Sequence, residues 1–125
     1  MKLEVGMYIR YIPTQGEYTQ KISKITKMEN RILDMGYQLD NEKDLVFSCH
    51  FDQIINASHN IIDLIEVGDY VNGSEVVFKD FNNLNEECLE CGIGNYIVCS
   101  YEAKDIKTIV TKEQFEAMQY KVVEE

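Results

Sequence analysis

At 125 residues the chain has room for one ordinary domain or two very small ones, and modules of about 60 residues bury only about 60% of their unfolded surface, so two such units gain by packing together or binding a metal. With 45% hydrophobic and 27% charged residues, one proline, no tryptophan and no apolar run near the roughly 20 residues that cross a bilayer, the composition is that of a globular protein and argues against a membrane segment. The net charge of −10 argues against DNA or RNA as the main partner, because phosphates are bound by Lys and Arg that displace their counterions.

The first residues, Met1-Lys2-Leu3-Glu4, lack the charged leader and the apolar stretch of about 7 to 15 residues of a secretory signal. The expectation is a reducing, cytoplasmic setting, in which a disulfide reading of the four cysteines is weak. Met7 to Ile12 alternates as a strand, and Pro13 with Gly16 ends it in a turn. Tyr18 to Lys27 and Arg31 to Met35 read as a hairpin about Glu29-Asn30, and Leu45 to Phe51 as another alternating strand. Phe51 to Ala57 reads as a helical turn and Ile61 to Ile65 as a strand.

Here the pattern restarts. Leu3-Glu4-Val5-Gly6-Met7-Tyr8-Ile9 returns 62 positions later as Ile65-Glu66-Val67-Gly68-Asp69-Tyr70-Val71, with glutamate, glycine and tyrosine in register. In each copy a Gly, free to take a backbone conformation other residues avoid, precedes an alternating run. Val71 to Phe78, Tyr96 to Tyr101 and Ile106 to Val110 then read as strands. Thr111-Lys112-Glu113-Gln114 has the form of a capping box ahead of Phe115 and Met118, and Tyr120 to Val123 reads as a last strand. The sequence thus predicts a mainly β fold with short helices, built as two tandem SH3-like barrel or sheet modules, residues 1–64 and 65–125. The second carries a cysteine-containing insertion at about 81–99.

That insertion holds the most specific chemistry. Cys88-Leu89-Glu90-Cys91-Gly92-Ile93-Gly94 places two thiols two residues apart with glycines behind them, and Cys99 follows. A Cys-x-x-Cys turn supplies two of the four ligands that a tetrahedral structural zinc needs. Cys99 is a third candidate ligand, and Cys49 or its neighbour His50 the fourth, with His59 more distant. Ordinary free thiols are the competing reading: Cys49 shares a face with Leu45, Phe47 and Phe51, and Cys99 shares one with Ile97 and Tyr101, as small buried hydrophobes do. A redox pair fits less well, because Glu86, Glu87 and Glu90 would raise the thiol pKa rather than lower it.

Enzyme signatures are missing: there is no glycine-rich nucleotide loop, no His-Glu-x-x-His and no Gly-x-Ser-x-Gly. Asp40, Glu42 and Asp44 alternate as calcium ligands do, but without the glycine and distal glutamate of an EF-hand loop. No catalytic residue is predicted. Charge speaks instead: residues 1–33 carry six basic and three acidic side chains, whereas 34–106 carry three and fifteen, a net of −12. A basic protein surface is the natural complement of such a field. The contact residues expected are Asp80, Glu86, Glu87 and Glu90, with Asp40, Glu42 and Asp44 as a second patch.

Three stretches carry a resemblance: Leu3 to Arg10, Ile61 to Gly73 and Ile106 to Val122. They resemble a family of short acidic proteins carried by phages and mobile elements of Gram-positive bacteria, and the chain is similar to a metal-binding member of the anti-CRISPR inhibitors of type II RNA-guided nucleases found in that setting. The resemblance implies a non-enzymatic inhibitor that binds such a nuclease in the bacterial cytosol and opposes target-DNA loading, since these nucleases hold their heteroduplex in a positively charged channel. A tandem SH3-like adaptor from a mobile element, binding some other protein and using metal only for its fold, is the alternative.

Overall fold

Gly6 and Gly68 both adopt positive φ, 96° and 99°, and the same backbone hydrogen bonds surround them. Gly6 N donates to Ile25 O at 2.9 Å and Gly68 N to Val76 O at 2.8 Å; Ile25 N returns to Met7 O and Val76 N to Asp69 O, both at 2.8 Å. A turn closes behind each glycine, from Met7 N to Glu4 O and from Asp69 N to Glu66 O. The two similar heptapeptides therefore take one local geometry. The structure is a computed structural model describing residues 3–13, 19–30, 35–40, 45–47, 53–93 and 96–118.

From each of these turns grows an antiparallel five-stranded sheet. The first contains β1 (Tyr8–Tyr11), β2 (Lys21–Asn30), β3 (Met35–Leu39), β4 (Leu45–Phe47) and β5 (Ile54–Ser58), in the order β4-β3-β2-β1-β5. The second contains β6 (Tyr70–Val71), β7 (Ser74–Phe81), β8 (Glu87–Ile93), β9 (Tyr96–Glu102) and β10 (Ile109–Val110), in the order β10-β6-β7-β8-β9. In both sheets the fifth strand along the chain returns to lie beside the first. The fold is mainly β, with α1 (Lys112–Met118) as its α-helix among the described residues.

Several elements differ from the sequence expectation. Ile54–Ser58, expected within a helical turn, is a strand, because pairing with β1 satisfies its backbone and buries Ala57. Ile61–Leu64, expected as a strand, is a 3-10 turn. Asn60 caps it by accepting from Ile62 N at 3.1 Å, an alternative to ladder pairing that local side chains offer the backbone. The run from Val71 to Phe78 is interrupted: Asn72 and Gly73, at φ 52° and 84°, form the two-residue hairpin turn for which Asn-Gly is suited, and Val71 pairs with Ser74. Only Ile109–Val110 of the run from Ile106 pairs as a strand, since the Asn72 side chain accepts from Lys107 N and Thr108 N. The Thr111–Gln114 capping box forms as expected, with reciprocal bonds of 3.1 Å. Of the run Leu45 to Phe51 the structure describes Leu45–Phe47 as strand; the expected strand Tyr120 to Val123 lies outside the described residues.

Each sheet has its own apolar cluster. Met7, Ile9, Tyr11, Ile25, Tyr37, Leu39 and Ala57 form the first, and Ile62, Ile65, Val71, Val76, Leu89 and Cys91 the second, against which Ile22 of the first sheet also packs. Alternation along β1 sends Met7, Ile9 and Tyr11 into the first cluster and turns Arg10 the other way, toward the second sheet. Arg10 is 1% exposed. Its Nη1 donates to Asp69 Oδ2 at 2.6 Å and Leu64 O at 3.0 Å, and its Nη2 to Asp69 Oδ1 at 3.2 Å and Glu113 Oε2 at 3.1 Å. Glu66 stands 3.3 Å from Nε. Burial works against the charge, yet the hydrogen bond and charge of Asp69, backed by Glu66 and Glu113, hold the guanidinium pKa above its ordinary value. Fully buried Asp69 also accepts from Glu66 N and Lys112 N, so one carboxylate ties together β1, the glycine turn and the start of α1.

Candidate protein-binding face

The outer face of the second sheet is written in three cross-strand rows. Register places Asp80, Cys88 and Glu102 in one row, Phe78, Glu90 and Ser100 in the next, and Glu75, Gly92 and Ile97 in the third. Two irregularities make this pattern possible. One lies between Val76 and Phe78 on β7, where an extra residue lets Val76 point inward and Phe78 outward; the other lies opposite Cys91 and Gly92, where Val98 is the extra residue on β9. The rows gather four carboxylates, Glu75, Asp80, Glu90 and Glu102, beside two exposed apolar side chains, Phe78 at 52% and Ile97 at 56%.

Hydrogen bonds hold several of these acids in place. Glu90 Oε1 accepts from Ser100 Oγ at 3.1 Å and from the Cys88 thiol at 3.5 Å. Glu102 accepts from Asn82 Nδ2 at 2.7 Å and lies 3.3 Å from exposed Lys104 Nζ. Glu75 accepts from Tyr70 Oη, whose ring stacks on Phe115 with centroids 4.1 Å apart. The face offers fixed negative charge and flanking apolar surface, a combination suited to cationic side chains on an apolar stem.

Of the acids expected from sequence, Asp80 and Glu90 share this face, and Glu86 is exposed in the turn leading to β8, where its N–H donates to Asn82 Oδ1. Glu87 alternates to the other side of β8, opposite Phe81. Asp40 lies in the turn just after β3, where Oδ1 accepts from Lys24 N at 3.1 Å, and Glu42 and Asp44 lie outside the described residues. Glu75 and Glu102 were not singled out from sequence. They join the face because Asn72-Gly73 and the β8–β9 pairing set the register, and the Asn-Gly dipeptide is the sequence signal that could have located the first of these turns.

The cysteines are arranged differently from a zinc turn. Cys88 and Cys91 lie on strand β8 and face opposite sides: Cys91 belongs to the inner cluster with Leu89, whereas Cys88 meets Glu90 on the outer face. Cys91 and Cys99 do come together, as cross-strand partners. Cys49 and His50 lie outside the described residues, and His59 pairs with Glu4 at 2.8 Å instead. Among the described residues no group of three or more His, Cys, Asp or Glu side chains is gathered as a metal ion requires. Burial pushes the Cys91 thiol up to about 11, with Cys99 and Glu90 adding to the effect. Burial also raises Cys88, with Glu90 and Asp80 opposing a contribution from Ser100 that lowers it. Iodoacetamide at pH 8 should therefore modify half-buried Cys99 well before Cys88 and Cys91 in the native protein, as followed by peptide mass mapping. Equal rates at the three positions would contradict this shielding.

Comparison of the chain with protein-family models, curated proteins and solved structures gives no match. The functional reading rests on geometry and charge. Among the described residues no helix is long and apolar enough to cross a membrane.

Proposed function

We propose that this chain is a non-enzymatic protein-binding module of two tandem SH3-like units, whose acidic second sheet engages a basic protein surface. The observation that carries the reading is the set of Asp80, Glu90 and Glu102 on one sheet face, flanked by exposed Phe78 and Ile97. The common strand order of the two sheets, with a fifth strand returning beside the first, supports the SH3-like description and an internal repeat. The net charge of −10 supports electrostatic steering to a basic partner. The family resemblance of the sequence makes a type II RNA-guided nuclease the partner to test, because its nucleic-acid channel is a basic groove.

The experiment is cleavage of target DNA by guide-loaded type II nucleases with this protein added before the DNA. Dose-dependent loss of cleavage is the expected outcome. Asp80→Lys, Glu90→Lys and Glu102→Lys together should weaken inhibition by at least about tenfold while leaving the fold's thermal transition in place. Raising the salt should slow association of the unmodified protein. Undiminished cleavage by several such nucleases would remove the inhibitor reading, and full inhibition by the triple variant would remove this face from it.

A further inference from the structure

β9 is an edge strand of seven residues, paired among the described residues with β8 alone. Edge strands are ordinarily protected by lysine, proline or shortness. β9 has neither residue within Tyr96–Glu102, and its outermost part is openly apolar: Tyr96 is 80%, Ile97 56% and Val98 69% exposed, with Ile93 across from it at 80%. The irregularity at Val98 interrupts it once, and the charge of Glu102 comes only at its far end. Beyond that point Cys99 and Tyr101 face the second cluster but are only partly buried by it. On the opposite face of the same strand Glu102 and the nearby Glu90 present negative charge.

We infer that β9 receives an extended segment of a partner protein as an added strand, and that this segment alternates apolar residues with lysine or arginine. The alternation follows from the two faces of β9. Side chains of an added strand on the inner side would lie against Cys99 and Tyr101 and extend the apolar cluster, whereas those on the outer side would meet Glu90 and Glu102. Charge also decides against a second copy of this chain, since edge-to-edge pairing of two β9 strands would bring two acidic faces, each on a protein of net charge −10, side by side. The inference deepens the proposed function and rests on it for the choice of a protein partner.

Two synthetic heptapeptides test it, one alternating lysine with valine and one alternating glutamate with valine, each added to the full chain under hydrogen exchange read by mass spectrometry. The lysine peptide should slow exchange across residues 96–102 by about tenfold, the glutamate peptide should not, and Ile97→Lys with Val98→Lys should abolish the protection. Both substituted side chains are exposed, so the variant retains its core. Binding of the lysine peptide without protection of residues 96–102, or no binding, would overturn the inference. So would protection that grows with protein concentration alone, which marks a second copy. If a nuclease or other basic partner is lost by the Asp80, Glu90 and Glu102 reversal but kept by the Ile97 and Val98 variant, strand addition falls while the acidic-face reading stands.

Discussion

Asp69→Ala is expected to lower the stability of the folded chain by about 3–5 kcal/mol, because it strands a buried guanidinium that two of its oxygens now hold. Glu66→Ala supplies the contrast. Its carboxylate reaches the same arginine at 3.3 Å but is 46% exposed, and a pair of that kind is worth about 1 kcal/mol or less. Urea unfolding of both variants measures the difference. In a double-mutant cycle, Arg10→Met should rescue much of the Asp69→Ala loss, since an apolar side chain of similar length needs no counter-charge. Equal losses for Asp69→Ala and Glu66→Ala would mean that Asp69 is not what compensates the buried charge.

The second large effect concerns Gly92. A Cβ placed there would lie 1.7 Å from Tyr96 O, 2.8 Å from Tyr96 C and 3.0 Å from Ile97 Cα, all of them backbone atoms that cannot swing aside. Gly92→Ala must therefore part β8 from β9 at their apolar end, at a cost of about 3 kcal/mol, the upper part of the range for overpacking. It should also displace Ile97 and disturb the binding face. Gly73→Ala separates space from conformation: a methyl group added at Gly73 would meet nothing within 4 Å, yet the φ of 84° penalises a side chain by about 1–2 kcal/mol. Thermal unfolding should rank Gly92→Ala as the more destabilised, and the reverse order would indicate that the β8–β9 close approach relaxes easily.

The shared turn of the two heptapeptides was legible because Gly6 and Gly68 occupy positions where positive φ is required, and the residues around them serve the same turn. The capping box of α1 was legible for a similar reason, as its residue types act within one helical turn. Arg10 was not. In an alternating strand a lone arginine reads as solvent-facing, and only a partner distant in sequence brings it inside. A signal did exist: in the two similar heptapeptides Asp69 stands where the first has Met7, a charge in the place of a core residue. The Cys-x-x-Cys spacing is ambiguous by itself, because the same three-residue offset that suits a turn sends the two side chains to opposite sides of a strand, as it does on β8. The acidic face was half legible, since composition locates the charge in the middle of the chain, but bulges and register decide which acids share a side.

The ion pair at the junction also bears on how the chain is made. When Ser58 leaves the ribosome, all five strands of the first sheet have been synthesised, yet the carboxylates that meet Arg10 come at positions 66, 69 and 113. Domains generally fold as units during synthesis, N-terminal first. Here the early sheet emerges with a cation on the side destined to close, and water must solvate it until Asp69 follows and again until Glu113 is released. Closure over Arg10 therefore waits on the arrival of negative charge from residues 66, 69 and 113 rather than on completion of the first sheet.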